Sequence, residues 1–179
     1  RGQIAASNSK LVVLDDDPTG TQTVYDIPVL TEWSVDVLRA ELAGESPGFY
    51  ILTNSRSMAL PAAQALNEEI GRNLLAASGA VGVPFTVVSR SDSTLRGHYP
   101  GEVDALLSAL GASVDACLII PYFLEGGRLT INDTHYVAEG DSLIPAAETP
   151  FAQDAAFGYK ASNLREWVAE KTGGEIASE

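Results

Sequence analysis

Along the first 120 residues, short apolar runs alternate with segments whose apolar positions recur at helical spacing. Residues 10–14, 27–30, 49–53, 85–89 and 117–120 are runs of strand length. Helices are predicted between them over 34–43, 60–77 and 102–110. The first has Ser34 or Thr31 as N-cap and Gly44 as its stop. The second carries Pro61 in its first turn and sets Ala65, Leu66, Ile70 and Leu74 on one face. Short strands that are apolar on both faces and separated by helices belong in a parallel sheet covered on both sides. The pattern therefore predicts an α/β fold: a three-layer, Rossmann-like domain with a mostly parallel sheet.

After Pro121 the rhythm changes. Residues 121–160 are rich in Gly, Pro, Thr and Asp, with a hairpin expected around 128–131 and 135–137. Such a C-terminal irregular excursion is uncommon in a compact domain unless it covers or builds a site. A last helix over 162–171 carries Leu164, Trp167 and Val168 on one face and ends before Gly173-Gly174. No repeat, low-complexity tract or linker interrupts the chain, so residues 1–179 read as one domain.

Composition narrows the function. With 45% hydrophobic and 20% charged residues, the chain is an ordinary folded protein rather than a disordered or fibrous one. A net charge of −13 argues against nucleic acid or an anionic membrane as partner, because both repel an acidic surface. No apolar run approaches the roughly 20 residues needed to span a bilayer. Cys117, the only cysteine, sits in an apolar run where a buried thiol is expected. A lone cysteine allows no intrachain disulfide and fits a reducing cytoplasm. Lys10, Lys160 and Lys171 are the only lysines. Arg39, Arg72 and Arg165 fall on helical segments, whereas Arg56, Arg90, Arg96 and Arg128 follow apolar strands. Loop arginines in an acidic chain point to a local anion site.

The densest chemistry lies in residues 89–102, Ser-Arg-Ser-Asp-Ser-Thr-Leu-Arg-Gly-His-Tyr-Pro-Gly-Glu. Arg90 and Arg96 can grip an anionic group bidentately, while Asp92 and the hydroxyls of Ser93 and Thr94 can hold sugar-like hydroxyls. Ligands of open α/β sheets sit beyond the carboxyl ends of the strands, near the point where strand order reverses. Two more polar loops leave such ends, at 15–21 and 53–57. Asp15, Asp16 and Asp17 repel one another unless Mg²⁺, substrate hydroxyls, arginines or solvent compensates. Asp16 or Asp17 is the candidate to accept a proton from a substrate hydroxyl during phosphoryl transfer, strand register deciding which.

A competing reading takes the same loop as the D-x-D-x-T pattern of haloacid-dehalogenase-type phosphatases, with Asp15 as nucleophile and Asp17 as general acid. Those enzymes also need a nearby lysine and a later acidic pair. Here Lys160 and Lys171 lie at the terminal helix, and Ile120 is followed by Pro-Tyr-Phe. A non-catalytic small-molecule-binding module is the third reading. His98 reads as an exposed turn residue and His135 as structural; two distant histidines without a cysteine partner make no zinc site. Gly126-Gly127-Arg128 lacks the Gly-Lys-Ser/Thr ending of a P-loop, and no G-x-G-x-x-G follows a strand.

Together these loops resemble the N-terminal, substrate-binding domain of the four-carbon acid sugar kinase family, formerly a domain-of-unknown-function group. The family's Asp-Asp-Phe-Thr-Gly loop stands here as Asp16-Asp17-Pro18-Thr19-Gly20, and its Thr-Asn-Thr-Arg segment as Thr53-Asn54-Ser55-Arg56. Its Lys-x-Asp-Ser-Thr-Leu-Arg-Gly signature stands as Arg90-Ser91-Asp92-Ser93-Thr94-Leu95-Arg96-Gly97, completed by Gly101-Glu102. Residues 121–130 and Thr149-Pro150-Phe151 with Asp154 continue the likeness. Two departures stand out: Pro18 replaces Phe, and Arg90 replaces Lys.

The resemblance implies an ATP- and Mg²⁺-dependent kinase acting on threonate, erythronate or an oxo-tetronate. Asp16 and Asp17 would be catalytic. Arg56, Arg90, Asp92, Ser93, Thr94, Arg96 and Gly20 would contact a small anionic polyhydroxy acid. It implies no cofactor or metal ligands in this chain, because the family binds ATP through a second, C-terminal domain that nothing here resembles. The chain, which opens on Arg1, is then one part of a longer enzyme or half of a pair. Alone, it is expected to bind a sugar acid weakly or not at all and to lack kinase activity. A cytoplasmic location and a homodimer are compatible with this reading.

Overall fold

A computed structural model describes residues 9–111 and 114–178, so Arg1 and the last residue lie outside it. The described chain forms two compact units, one built from residues up to Arg90 together with the segment from Gly101, the other from Ser91–Pro100 and the chain from Val114 onward.

In the first unit, β1 (Lys10–Asp15), β2 (Val29–Leu30), β3 (Gly48–Leu52) and β4 (Phe85–Arg90) form a parallel sheet in the order β2-β3-β1-β4. Three helices belong to it: α1 (Val35–Ala43), α2 (Leu60–Val81) and α3 (Gly101–Leu110). α2 packs against both α1 and α3. Alternation along the strands sends Val12 and Leu14 of β1 and Phe49 and Ile51 of β3 into one apolar cluster with Leu38, Leu42, Ile70, Leu74 and Leu106 of the helices. α2 runs four residues beyond the predicted end, to a left-handed Gly82 whose amide bonds the Ser78 carbonyl. Strand order reverses at β1, which lies between β3 and β4. The register sets Asp15 opposite Leu52 on one side and Arg90 on the other, so three strand ends lie abreast.

The second unit holds the expected hairpin as part of a three-stranded antiparallel sheet, β5 (Arg128–Ile131), β6 (Thr134–Glu139) and β7 (Ser142–Pro145). Asn132 and Asp133, both at positive φ, make the two-residue turn from β5 to β6. β7 follows Gly140 and was not anticipated, because Ser-Leu-Ile-Pro is short and ends in proline. α4 (Leu164–Lys171) starts two residues later than predicted, where the Asn163 side chain accepts from the amides of Arg165 and Glu166. Its buried Trp167 stacks on Tyr99 at 5.0 Å and packs with Leu95, Ala146, Ala152 and Tyr159.

One expected strand is absent. Residues 117–120 form no strand, and Leu118 and Ile120 are 80% and 76% exposed. Cys117 is exposed rather than buried. Four apolar residues have strand character only when a neighbouring backbone pairs with them, and none of the described strands does so. With those corrections, the structure has the Rossmann-like α/β class, the mostly parallel sheet and the C-terminal hairpin excursion.

Candidate functional site: charged loops at the strand ends

The residues singled out in the sequence fall into two groups, one in each unit. In the first unit, the β1 end loop is strapped to its neighbours through the backbone. The Asp16 amide bonds Arg90 O, the Thr53 amide and hydroxyl both bond Asp15 O at 2.9 Å, and the Arg56 amide bonds Asp16 O. These bonds hold three charged loops at one sheet edge.

Arg56 clamps two of the aspartates. Its Nε and Nη2 donate to the two oxygens of Asp16 at 3.0 and 2.5 Å, and its Nη1 donates to Asp17 Oδ2 at 3.0 Å. This is the bidentate fork that a carboxylate fits best. Asp17 Oδ1 also accepts from the amide and hydroxyl of Thr19. Burial works against the Asp17 charge, but the Thr19 hydrogen bonds and the Arg56 and Arg90 guanidiniums outweigh it and hold its carboxyl below the usual range. The more enclosed carboxylate is Asp16, with a side chain 5% exposed against 24% for Asp17.

Asp15 is fully buried and takes Arg90 Nη1 at 3.0 Å, while its Oδ2 is enclosed without a hydrogen-bond partner. Burial raises its pKa, and the Arg90 charge offsets that only in part. Gly20 closes over this pair: a Cβ built there would strike Asp15 Oδ2 and the Arg90 guanidinium. The like-charge problem of three adjacent aspartates is thus solved by two arginines.

In the second unit, residues 92–97 form a tight turn. The Leu95 amide bonds Asp92 O, and Leu95 itself adopts a left-handed backbone at φ 67°. That conformation is costly for a branched residue, and burial of its side chain beside Tyr159 and Trp167 helps hold it. Arg96 Nε donates to Asp92 Oδ2 at 2.7 Å and to Thr94 Oγ1 at 3.1 Å, and its Nη1 lies 3.7 Å from Asp154 Oδ2. The Thr94 hydroxyl donates to Asp92.

Two further residues fix the turn from behind, and neither has a role in the site that its residue pattern predicts. The wholly buried His135 donates from Nε2 to Ser93 O at 2.7 Å, so its Nδ1 accepts from the Thr130 hydroxyl at 3.0 Å. Burial lowers the His135 pKa, and the nearby Arg128 charge adds to the effect. The Tyr159 hydroxyl donates to Thr94 O at 2.7 Å, and burial pushes its pKa up to about 12. Nothing in the residue pattern marks Tyr159. His135 was visible only as a hairpin residue. Phe151 and Asp154, by contrast, lay inside a motif already noted.

Residues 11–179 match the family model of the sugar-binding N-terminal domain. The chain belongs to this family. That membership agrees with the resemblance carried by the Asp-Ser-Thr-Leu-Arg-Gly motif. No curated protein matches the sequence. Among solved structures, this sugar-binding N-terminal domain is similar to a domain of unknown function (DUF1537) from Bordetella bronchiseptica, a domain-swapped dimer with bound citrate. The identity is 23% and the TM-score 0.62, over 89% of this chain and 39% of that one, so the likeness speaks to the fold. The chain spans about two fifths of the length of that structure. No helix among the described residues is long and apolar enough to cross a membrane.

Proposed function

We propose that this domain is the sugar-acid-binding part of an ATP-dependent kinase for a four-carbon acid sugar of the threonate, erythronate or oxo-tetronate type. The observation that carries the reading is the Asp16–Arg56–Asp17 clamp at the carboxyl ends of a parallel sheet. Two carboxylates and a guanidinium at these strand ends support the reading, because open α/β sheets receive ligands there. Membership of a sugar-binding family and a fold relative with bound citrate, a small hydroxy acid, support the same ligand class.

In this reading Asp17 is the better placed of the two to take the substrate's hydroxyl proton. It is the more exposed, and its lowered pKa keeps it ionised. Asp16, gripped on both oxygens, orients the Arg56 fork. Asp92 and Thr94 of the second unit's turn are polar groups of the kind that hold sugar hydroxyls, and Arg96 there is engaged by Asp92 and Asp154. Among the described residues no three His, Cys, Asp or Glu side chains group to hold a metal ion. Asp15, Asp16 and Asp17 are each engaged by arginine, so these residues do not fit a resident Mg²⁺. We assign ATP and Mg²⁺ to the rest of a longer enzyme. The phosphatase reading needs Asp15 presented to a phosphate ester, whereas Asp15 is enclosed and paired with Arg90.

Thermal shift against a panel of tetronates, phosphate esters and nucleotides tests the proposal. Stabilisation by millimolar tetronate and not by ATP is expected, with no ATP-dependent phosphorylation by the 179-residue chain. Stabilisation by phosphate esters with Mg²⁺, and not by sugar acids, would return the phosphatase. Turnover by this chain alone would overturn the assignment of ATP to another domain.

A further inference from the structure

Four arginines follow apolar strands in the sequence, and three have carboxylate partners in the structure. Arg56 has Asp16 and Asp17, Arg90 has Asp15, and Arg96 has Asp92 and Asp154. Arg128, the first residue of β5, has none among the described residues. Its Nη1 donates to Gly126 O, and its Nε is enclosed with no hydrogen-bond partner. The guanidinium lies over the Phe151 ring at 5.5 Å, a ring it shares with Arg96 at 5.1 Å.

The seat for this side chain is built. A Cβ at Gly126 would strike the Phe123 ring and approach Arg128 Nη1 to 2.6 Å, and Gly127 sits at φ 72° where a side chain is strained. The Gly-Gly-Arg sequence therefore lets the chain close tightly on the Arg128 guanidinium. A half-buried guanidinium with no carboxylate partner among the described residues has an uncompensated charge, which an anionic ligand would offset. Its outer nitrogens form a planar fork that matches a carboxylate.

We infer that Arg128 is the carboxylate-recognition residue of the second unit, taking the acid group of a small hydroxy acid. Arg96, held by Asp92 and Asp154, is a wall of that site rather than its anion receptor. The identity of the acid rests on the function proposed above; the existence of an anion site at Arg128 does not.

The test compares wild type, Arg128→Gln and Arg128→Lys by calorimetric titration with threonate and with the uncharged threitol. Unliganded melting temperatures are measured alongside. Arg128→Gln should weaken threonate binding at least tenfold, leave any threitol binding unchanged, and leave the unliganded melting temperature unchanged or raised. Arg128→Lys should recover part of the loss. Unchanged threonate affinity in Arg128→Gln overturns the inference. So does a lowered unliganded melting temperature with equal losses for both ligands, which marks a purely structural arginine. If wild type binds no tetronate, the substrate reading fails, and an acetate titration followed on the arginine Nε–Hε NMR signals decides the rest. A shift of the Arg128 signal with those of Arg56 and Arg96 still supports only nonspecific screening and overturns it; a shift confined to Arg128 upholds it.

Discussion

At the scale of single residues, buried partners decide what charge a group can carry. His135 has its folded pKa depressed, so its neutral form belongs to the native state. The stability this contributes is present above the unfolded value near 6.5 and is lost as pH falls through the lower folded value. Wild type should therefore melt progressively lower from pH 7.5 to 5.5. His135→Gln, which removes the titrating ring, should flatten that part of the profile. Amide exchange at residues 93–96 gives the local signature, since the ring holds Ser93 O. An unchanged pH profile in the variant would show that His135 does not titrate with folding. Gly20 makes the complementary point about space. Gly20→Ala forces a methyl group into Asp15 and Arg90, an overpacking that typically costs about 1–3 kcal/mol. Thermal melting should show the loss, and a neutral result would mean that the Asp15–Arg90 pair relaxes freely.

At the scale of elements, legibility followed the source of each element's stability. β1, β3, β4 and the three helices of the first unit carry their own pattern, because each buries a face against the others, and their predicted bounds are close to those observed. The β5–β6 hairpin was legible from turn chemistry. Residues 117–120 were not, because apolar character without a pairing backbone makes no strand. This difference has a measurable consequence. Leu118 and Ile120 are largely exposed, so Leu118→Ser with Ile120→Ser should change stability by no more than about 0.5 kcal/mol, as surface changes do. In a buried strand the pair would cost several times that, and urea titration separates the cases. The candidate site divides in the same way. Its charged residues were readable from the loops that follow strands, but their pairing was not. Arg56 clamping Asp16 and Asp17 depends on three strand ends lying abreast, and Tyr159 reaching Thr94 O depends on a fold 65 residues long. Composition holds no trace of either.

At the scale of the whole molecule, the signature motif straddles two structural units, since Arg90 ends β4 in the first and Ser91 begins the second. The units differ in the cores that hold them. The first has a cluster of ten buried residues joining two strands to three helices, and the second a cluster of five around Trp167 and Tyr159. Apolar burial is the dominant favourable term in folding, so the second unit should open at lower free energy. Native-state hydrogen exchange on the unmodified protein reads this directly. Amides of β1 and β3 should exchange only through the most costly openings, and those of β6 and β7 through cheaper ones. A tetronate held by the second unit's turn and Arg128 should slow exchange in β5 and β6 first. Equal protection across both units without ligand would mean that they unfold as one cooperative body, and that the sizes of their separate cores do not set the order of opening.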